Sequence, residues 1–364
     1  MTAKSAIRAE AERLFRIFLN AGAVSVDADI LLPAEVLLDL YGEDIRARAY
    51  TTTDPLQGEM MLRPDFTVPV VQAHMAHGAD PARYCYLGEV FRKQEHLGNH
   101  AHEYLQVGFE VFDRHAPAQA DAEVFALFTA ALKDLPLRPV TGDIGILMAA
   151  VRGLQTTQRR KDALLRHIWR PARFRQVLDR FSGRAPVPQA RADLLRKLAT
   201  GTPETLIAAA GPLIGLRGAD DIAARAAALT EDAATPSIAA PEAALLYDLL
   251  SLQAPADAAL AHLQGITPML PAIAPAVAHF AARLDALKSR NIDTSLLAFE
   301  ASLGRMSMEY YDGFTFSFHA RDLPPVASGG RYDALTAVLG QGRSIPAVGG
   351  VIRPALVVAL GAKP

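Results

Sequence analysis

The sequence predicts an α+β fold, an antiparallel sheet flanked by helices and interrupted by a mostly helical section. Three observations carry that expectation. Residues 84–112, YCYLGEVFRKQEHLGNHAHEYLQVGFEVF, alternate apolar and polar side chains on both sides of a His-, Asn- and Gly-rich loop, which is the pattern of a long antiparallel hairpin. Short β-patterned runs return between residues 292 and 352, punctuated by glycine turns. From 153 to 281 alanine, leucine and arginine dominate at helical spacing, broken at clusters such as Ala185-Pro186-Val187-Pro188 and Gly201-Thr202-Pro203. The expected organisation is one β-rich unit over 1–152 and 282–364, with 153–281 as a helical inserted section.

The elements follow in order. Ser5 to about Asn20 reads as an amphipathic helix, with Ile7, Leu14, Ile17 and Phe18 on one face and Gly22 just past its end. The apolar run Asp29–Glu35 is broken by Pro33, which confines a strand there to a sheet edge or a subunit boundary, and Val36–Tyr41 continues it. Ala49–Asp54 and Glu59–Pro64 are short strands around a Pro-Leu-Gln-Gly turn. Asp65 and Thr67 then stand at the mouth of a helix over Thr67–Met75, where capping is role enough for them. Beyond the hairpin come a helix over Gln119–Leu132 and a strand over Thr141–Met148 running into a helix near Ala149–Leu154. Within the helical section, Trp169 and the arginine-rich stretch Arg159–Arg175 read as a solvated helix face in preference to a contact surface. Ile292–Glu300, Phe314–Phe318 and Ile345–Ile352 supply strands, Ala334–Leu339 a helix after the glycine turn Ser328-Gly329-Gly330-Arg331, and a closing apolar helix ends the chain.

Composition bounds the function. The chain has 364 residues, 51% of them hydrophobic, enough for a substantial core. Lys plus Arg number 37 against 39 Asp plus Glu, a formal net charge of −2, so no basic field asks for a nucleic-acid partner. No signal-like or membrane-length apolar run is present, so no membrane partner and a cytoplasmic location are expected. The single cysteine, Cys85, lies in an apolar strand and reads as buried and inert. His96, His100, His102 and Glu103 match no zinc spacing, and Gly329-Gly330-Arg331 lacks the Lys-Ser/Thr of a phosphate-binding loop, so neither metal nor cofactor is expected.

The hairpin carries the one chemical hint. By the period of two, Gln106, Gly108 and Glu110 share a face, and Leu105, Val107, Phe109 and Val111 share the other. A carboxylate and an amide with a bare glycine between them to leave room can floor a pocket. They also suit the solvated face of a half-exposed sheet, which this stretch alone favours.

Taken together, Leu62-Arg63-Pro64-Asp65-Phe66-Thr67, the hairpin with its Gly88-Glu89-Val90-Phe91-Arg92 and Gln106–Glu110 segments, Glu309–Gly313, Ser328–Asp333 and Pro346–Gly350 resemble, in that order, the landmarks of the histidyl-tRNA synthetase catalytic domain, a class II aminoacyl-tRNA synthetase fold. The resemblance runs from near residue 5 to near 360, leaving only the helical middle without landmarks. It implies that Asp65, Thr67, Gln106, Glu110 and Tyr311 hold free histidine, with Arg92 and Tyr310 as further pocket residues. Their chemistry suits that role: an ammonium wants an acid and hydroxyl or amide oxygens, and an imidazole wants acceptors such as Glu110 and the Tyr311 hydroxyl.

The departures from that family point away from catalysis. Adenylate formation builds negative charge on ATP that fixed guanidinium groups stabilise. Met306 stands where the family has an arginine, and neighbouring Arg305 would point elsewhere on a strand. In the last landmark Pro354 argues against Arg353 taking the place of the family's ATP-gripping arginine. The hairpin tip has His100 and His102 for arginines and Gln94 for an acid, leaving Arg92, and the family's anticodon-binding domain does not follow Pro346–Gly350. The chain therefore resembles the ATP phosphoribosyltransferase regulatory subunits, which implies no catalytic residue of its own, a short-form catalytic subunit as partner in a hetero-octamer, and L-histidine as effector. The Pro33 segment resembles the landmark that builds a homodimer core. Histidyl-tRNA synthetase, or another histidine-adenylating ligase, is the alternative.

Overall fold

The structure, a computed structural model, describes residues 3–35, 49–93, 101–303, 310–321 and 323–361. Helix α1 (Ala3–Asn20) buries Ala11, Leu14 and Phe18 completely, the stripe its apolar spacing demands. After the two-residue strand β1 (Val24–Ser25), strands β2 (Leu31–Pro33), β3 (Thr51–Asp54) and β4 (Gly58–Leu62) form a small sheet in the order β2-β4-β3. Pro33 thus lies on an edge strand, where its missing N–H breaks no interior ladder. The turn into β4 is made by Gly58 at φ +81°, a conformation that a side chain would strain. Val36–Tyr41 lies outside the described residues. Helix α2 (Thr67–His77) follows and carries Pro69 in its first turn, where no intrahelical N–H is missed.

A second sheet carries the site. It is made by β5 (Ala82–Phe91), β6 (Glu103–Phe112), β7 (Arg138–Asp143), β8 (Gln253–Pro255), β9 (Ala298–Glu300), β10 (Phe314–His319), β11 (Ala327–Arg331) and β12 (Ala347–Ile352), with β1 on one edge. The order is β1-β5-β6-β12-β11-β10-β7-β9-β8. Neighbours are antiparallel except for β1 with β5 and β7 with β9. The expected hairpin is β5 with β6, in a register that sets Tyr84 opposite Glu110, Tyr86 opposite Gly108 and Gly88 opposite Gln106.

The helices cover the apolar side. Val107, Phe109 and Val111 of β6 are fully buried against α1 and α3 (Pro117–Ala131), with Phe18 and Phe109 ring centroids 5.4 Å apart. Phe128 of α3 meets Phe316 of β10 at 5.3 Å. Boundaries differ from the sequence expectation at two strands: the one expected over Ile292–Glu300 forms only as β9, and β7 ends at Asp143 with α4 (Ile144–Gly153) starting immediately, where a strand to Met148 was expected. The Asp143 carboxylate accepts a hydrogen bond from the Gly145 N–H at 2.9 Å, and this cap turns the apolar run Ile144–Leu147, which periodicity alone cannot assign, into a helix.

Through the 153–281 stretch run α5 (Gln158–Arg166), α6 (Pro171–Phe181), α7 (Gln189–Thr200), α8 (Pro203–Ala209), α9 (Ala219–Ala234), α10 (Ala240–Ser251), β8, α11 (Ala256–Ile266) and the start of α12 (Ala274–Lys288). Leu164, Phe174, Leu246, Leu263 and Phe280 from this stretch join the same core as the sheet, whereas α7, α8 and α9 bury no residue. The chain ends with α13 (Asp333–Leu339) between β11 and β12, and with α14 (Pro354–Gly361).

Candidate functional site

The polar face of β6 is not solvated. Gln106 is 0% and Glu110 1% exposed, which overturns the half-exposed-sheet reading. Both line a cleft of about 450 Å³, the open solvent at its mouth included. Asp65, Thr67, Arg92, Gln106, Glu110, Tyr310 and Tyr311 all line it, joined by Ser328, Tyr332, Gly349, Gly350, Val351 and Arg353. Strand pairing explains the convergence. In β12, Gly349 lies opposite Glu110 and Val351 opposite Gly108, so the alternate residues of both strands share the cleft face.

Glu110 is the floor. A Cβ on Gly349 would fall 1.5 Å from Glu110 Oε2, so only glycine there lets the carboxyl lie flat on the neighbouring strand. Gly108 does not leave open room as the sequence suggested: a Cβ there would sit 2.1 Å from the Tyr86 ring, which fills the space. The Tyr86 hydroxyl donates to Glu110 Oε1 at 2.9 Å and the Tyr332 hydroxyl to Oε2 at 2.7 Å. Burial pushes the Glu110 carboxyl up to about 8; the two tyrosine hydrogen bonds recover only part of that, and nearby Asp65 adds to the rise. At neutral pH the carboxyl therefore holds a proton in most molecules. Burial and the facing Glu110 raise the Tyr86, Tyr332 and Tyr311 phenols as well.

The expected capping role is not what the structure shows: the helix N-cap is Phe66, without a side-chain cap bond, and Asp65 accepts from the Thr67 N–H two residues on at 3.2 Å, with both side chains buried in the cleft wall. Thr67 Oγ1 and the Tyr310 hydroxyl are 3.2 Å apart, and the Tyr310 and Tyr311 rings meet edge to face with centroids 4.8 Å apart. Gln106 differs from its neighbours. Its amide nitrogen and oxygen are both buried and have no partner among the described residues. Leaving such a group unmade costs about 1–3 kcal/mol in a folded chain.

The other end of the cleft is cationic. Arg92 Nε donates to the Pro64 carbonyl at 2.9 Å, and Arg353 Nη1 to the Pro325 carbonyl at 2.7 Å. Arg353 lines the cleft even though Pro354 follows it. Pro354 is the first residue of α14, and the Arg353 carbonyl accepts from the N–H groups of Leu356 and Val357, so proline starts a helix behind the arginine and does not deflect its side chain. Arg353 comes one residue after the last β12 rung, Ile352 opposite Val107, and so continues the face of Gly349 and Val351. That alternation was the signal available in the sequence. Arg305, Met306, Gln94, His96 and His100 lie outside the described residues.

The structure adds further residues. Tyr86 and Tyr332 were not anticipated as site groups, although Tyr332 sits in the glycine-rich landmark. The Trp169 indole N–H donates to the Tyr311 carbonyl at 3.1 Å. Arg160 is 6% exposed and bound to Asp232 Oδ1 at 2.6 Å, so the 159–175 stretch is not simply a solvated face. His102 Nδ1 lies 2.6 Å from the Tyr50 hydroxyl, and among the described residues no cluster of three His, Cys, Asp or Glu could hold a metal. Cys85 is buried on the apolar face, its thiol pushed up to about 11 by burial. No helix among the described residues is long and apolar enough to cross a membrane.

Comparison with known proteins places this geometry among relatives. The histidyl-tRNA synthetase family model matches residues 2–254 and 222–355. An ATP phosphoribosyltransferase regulatory subunit of Allorhizobium ampelinum is 33% identical over 346 residues, covering 91% of this chain and 92% of that protein. A protein of the same name from Mesorhizobium japonicum is 32% identical over 370 residues, covering 93% and 94%. Among solved structures, an ATP phosphoribosyltransferase regulatory subunit/histidyl-tRNA synthetase from Bacillus halodurans superposes with a TM-score of 0.67 at 22% identity, over 98% of this chain and 79% of that one. It shows the fold.

Proposed function

The chain belongs to the histidyl-tRNA synthetase family, among the ATP phosphoribosyltransferase regulatory subunits, and from that premise we propose that it performs no chemistry itself but supports a short-form catalytic subunit at the first step of L-histidine biosynthesis and reports free histidine to it. One observation carries the sensor half of the proposal: Gln106, fully buried with both amide atoms unpartnered among the described residues, faces a cleft already lined by Glu110, Asp65, Thr67 and Tyr311. A histidine there supplies the missing partners. Its amide-facing end satisfies Gln106, its ammonium meets Asp65 and Thr67, and its imidazole meets Glu110 and the Tyr311 hydroxyl. Proton content fits too, since a protonated Glu110 and a neutral imidazole carry the one proton that their ion pair shares.

Feedback requires histidine to favour one state of the assembly, because equal affinity for two states shifts nothing. Trp169, bonded to the Tyr311 carbonyl, supports a connection from the cleft to the helical section. The assembly we propose is a homodimer core carrying catalytic subunits in a cytoplasmic hetero-octamer. The exposure of Leu31 (45%) on the edge strand with Pro33, and of Ile30 (46%) just before it, supports that core. Titration calorimetry of the full chain with histidine tests the sensor, and Glu110→Ala should weaken binding at least tenfold; unchanged affinity in the variant rejects the site. Co-expression with the short-form catalytic subunit, measuring phosphoribosyl-ATP formation with and without this chain, tests the partnership.

The presence of Arg92 and Arg353 in the cleft favours a second reading, a histidine-adenylating ligase such as histidyl-tRNA synthetase. Histidine-dependent pyrophosphate exchange at an appreciable rate would select it.

A further inference from the structure

The cleft is polarised. Asp65 and Glu110 bring carboxyl groups to it, while Arg92 and Arg353 bring guanidinium groups. Along β6 the step from Glu110 to Gln106 is four residues, about 13 Å of extended chain, and Arg353 continues β12 at the Gln106 level. Arg92 lies further the same way, its N–H bonded to the His102 carbonyl beyond the last rung of the hairpin.

Arg353 finds no counter-ion among the described residues. Among the described residues no carboxylate lies within ion-pair distance of it; its Nη1 is held by the Pro325 carbonyl and, at 3.5 Å, the Ser328 hydroxyl. The charged group felt beside it is Arg92, a like charge, and its other close neighbours are the Tyr104 and Tyr311 phenols. This contrasts with buried Arg160, Arg283 and Arg331, each of which holds a carboxylate within 2.6 Å, and with buried Arg63, which is held by the Glu89 and Ala28 carbonyls but has the Glu89, Asp27 and Asp29 carboxylates acting on it. A partly buried guanidinium beside a second one, facing a cavity, is an arrangement that a bound anion relieves.

We infer that Arg353, with Arg92 beside it, reads the carboxylate of the amino acid bound in this cleft and so sets its preference for a free amino acid over an analogue lacking that group. The inference rests on the histidine reading above and adds the residue that discriminates. A zwitterion with an imidazole matches the polarity end to end: imidazole at Glu110, ammonium at Asp65, carboxylate at the arginines. A phosphate group would meet the same two guanidiniums, so the test separates the two anions.

The full-length chain is titrated with L-histidine, with L-histidinol, which has a hydroxymethyl in place of the carboxylate, and with ATP, in wild type and Arg353→Met. Wild type should bind histidine roughly 10- to 100-fold more tightly than histidinol, the range of a charge-assisted hydrogen bond. In Arg353→Met that ratio should collapse towards one through loss of histidine affinity, with histidinol binding within about twofold of wild type. Equal binding of the two ligands by wild type overturns the carboxylate assignment while leaving the histidine pocket standing. A ratio retained in Arg353→Met also overturns it, as does ATP binding that is lost in the variant while histidine binding is unchanged. Binding of neither ligand by wild type sinks the histidine reading itself. Should Arg353→Met fail to fold by circular dichroism, the wild-type ratio decides alone, with Arg353→Lys expected to keep part of it.

Discussion

Glu110 and Asp121 are both carboxyl groups with almost no exposure, and the molecule treats them in opposite ways. Asp121, on α3, is gripped by Arg331 Nη2 at 2.6 Å, Arg283 Nη1 at 3.2 Å and His279 Nε2 at 3.2 Å, while Arg283 also bonds Asp143 at 2.6 Å and Arg331 Asp333 at 3.0 Å. Burial pushes Asp121 up, but Arg331, His279 and Arg283 together outweigh it and hold the carboxyl well below its usual range. Among the described residues Glu110 has only tyrosine hydroxyls as partners, and burial wins, taking it up to about 8. A buried charge matched by its own chain fastens β11, α3, α12 and β7 together. A buried carboxyl that finds no cation among the described residues takes up a proton, and on the reading proposed above its complement is a ligand.

Breaking the matched cluster should have the largest effect. Asp121→Asn leaves Arg331 and Arg283 buried with one carboxylate fewer, and unfolding in urea should show a loss of about 3–5 kcal/mol. A loss below 1 kcal/mol would erase the contrast. Glu110→Gln should go the other way. The unfolded carboxyl ionises near its usual 4.5, whereas the folded one holds its proton to about 8, so the unfolded chain binds fewer protons between those values. Wild-type stability should therefore fall across that window by up to about 4 kcal/mol from this group, and at pH 8 Glu110→Gln should be the more stable chain while binding histidine more weakly. Asp121 has the reverse sign, its contribution being lost only as strong acid protonates the folded carboxyl.

Histidine affinity should form a plateau between the imidazole pKa of about 6.5 and the Glu110 value of about 8. Below it the free imidazolium must release a proton to bind beside protonated Glu110; above it a proton must be taken up. Calorimetry across pH should show roughly tenfold weakening per unit on each side. The neighbouring Tyr86, Tyr311 and Tyr332 phenols are all raised and stay protonated throughout, so a flat profile would argue against Glu110 as the imidazole partner. The smallest effect is expected at Trp169. Removing its N–H with Trp169→Phe should cost about 1 kcal/mol of stability. As the chain has a single tryptophan, its fluorescence should shift on histidine addition if the Tyr311 carbonyl responds to the cleft.

The sequence determined the hairpin, the two faces of β6 and the residues that share the cleft side, because strand alternation is a local rule in which position fixes direction. It also placed Pro33 at an edge, since a residue without an N–H cannot serve an interior ladder. Asp65, Thr67, Gln106 and Glu110 were legible together with their landmarks. Tertiary structure alone decided that this face is sealed and not solvated, that Tyr86 fills the gap over Gly108, and that Tyr332, 222 residues away in sequence, bonds Glu110. It also decided which buried arginines find an acid: Arg331 meets Asp121 across 210 residues, and Arg353 meets none among those described. Alternation states which way a side chain points, but burial, proton affinity and charge pairing depend on what other segments bring within a few ångströms, and that is set by the packing of the whole chain.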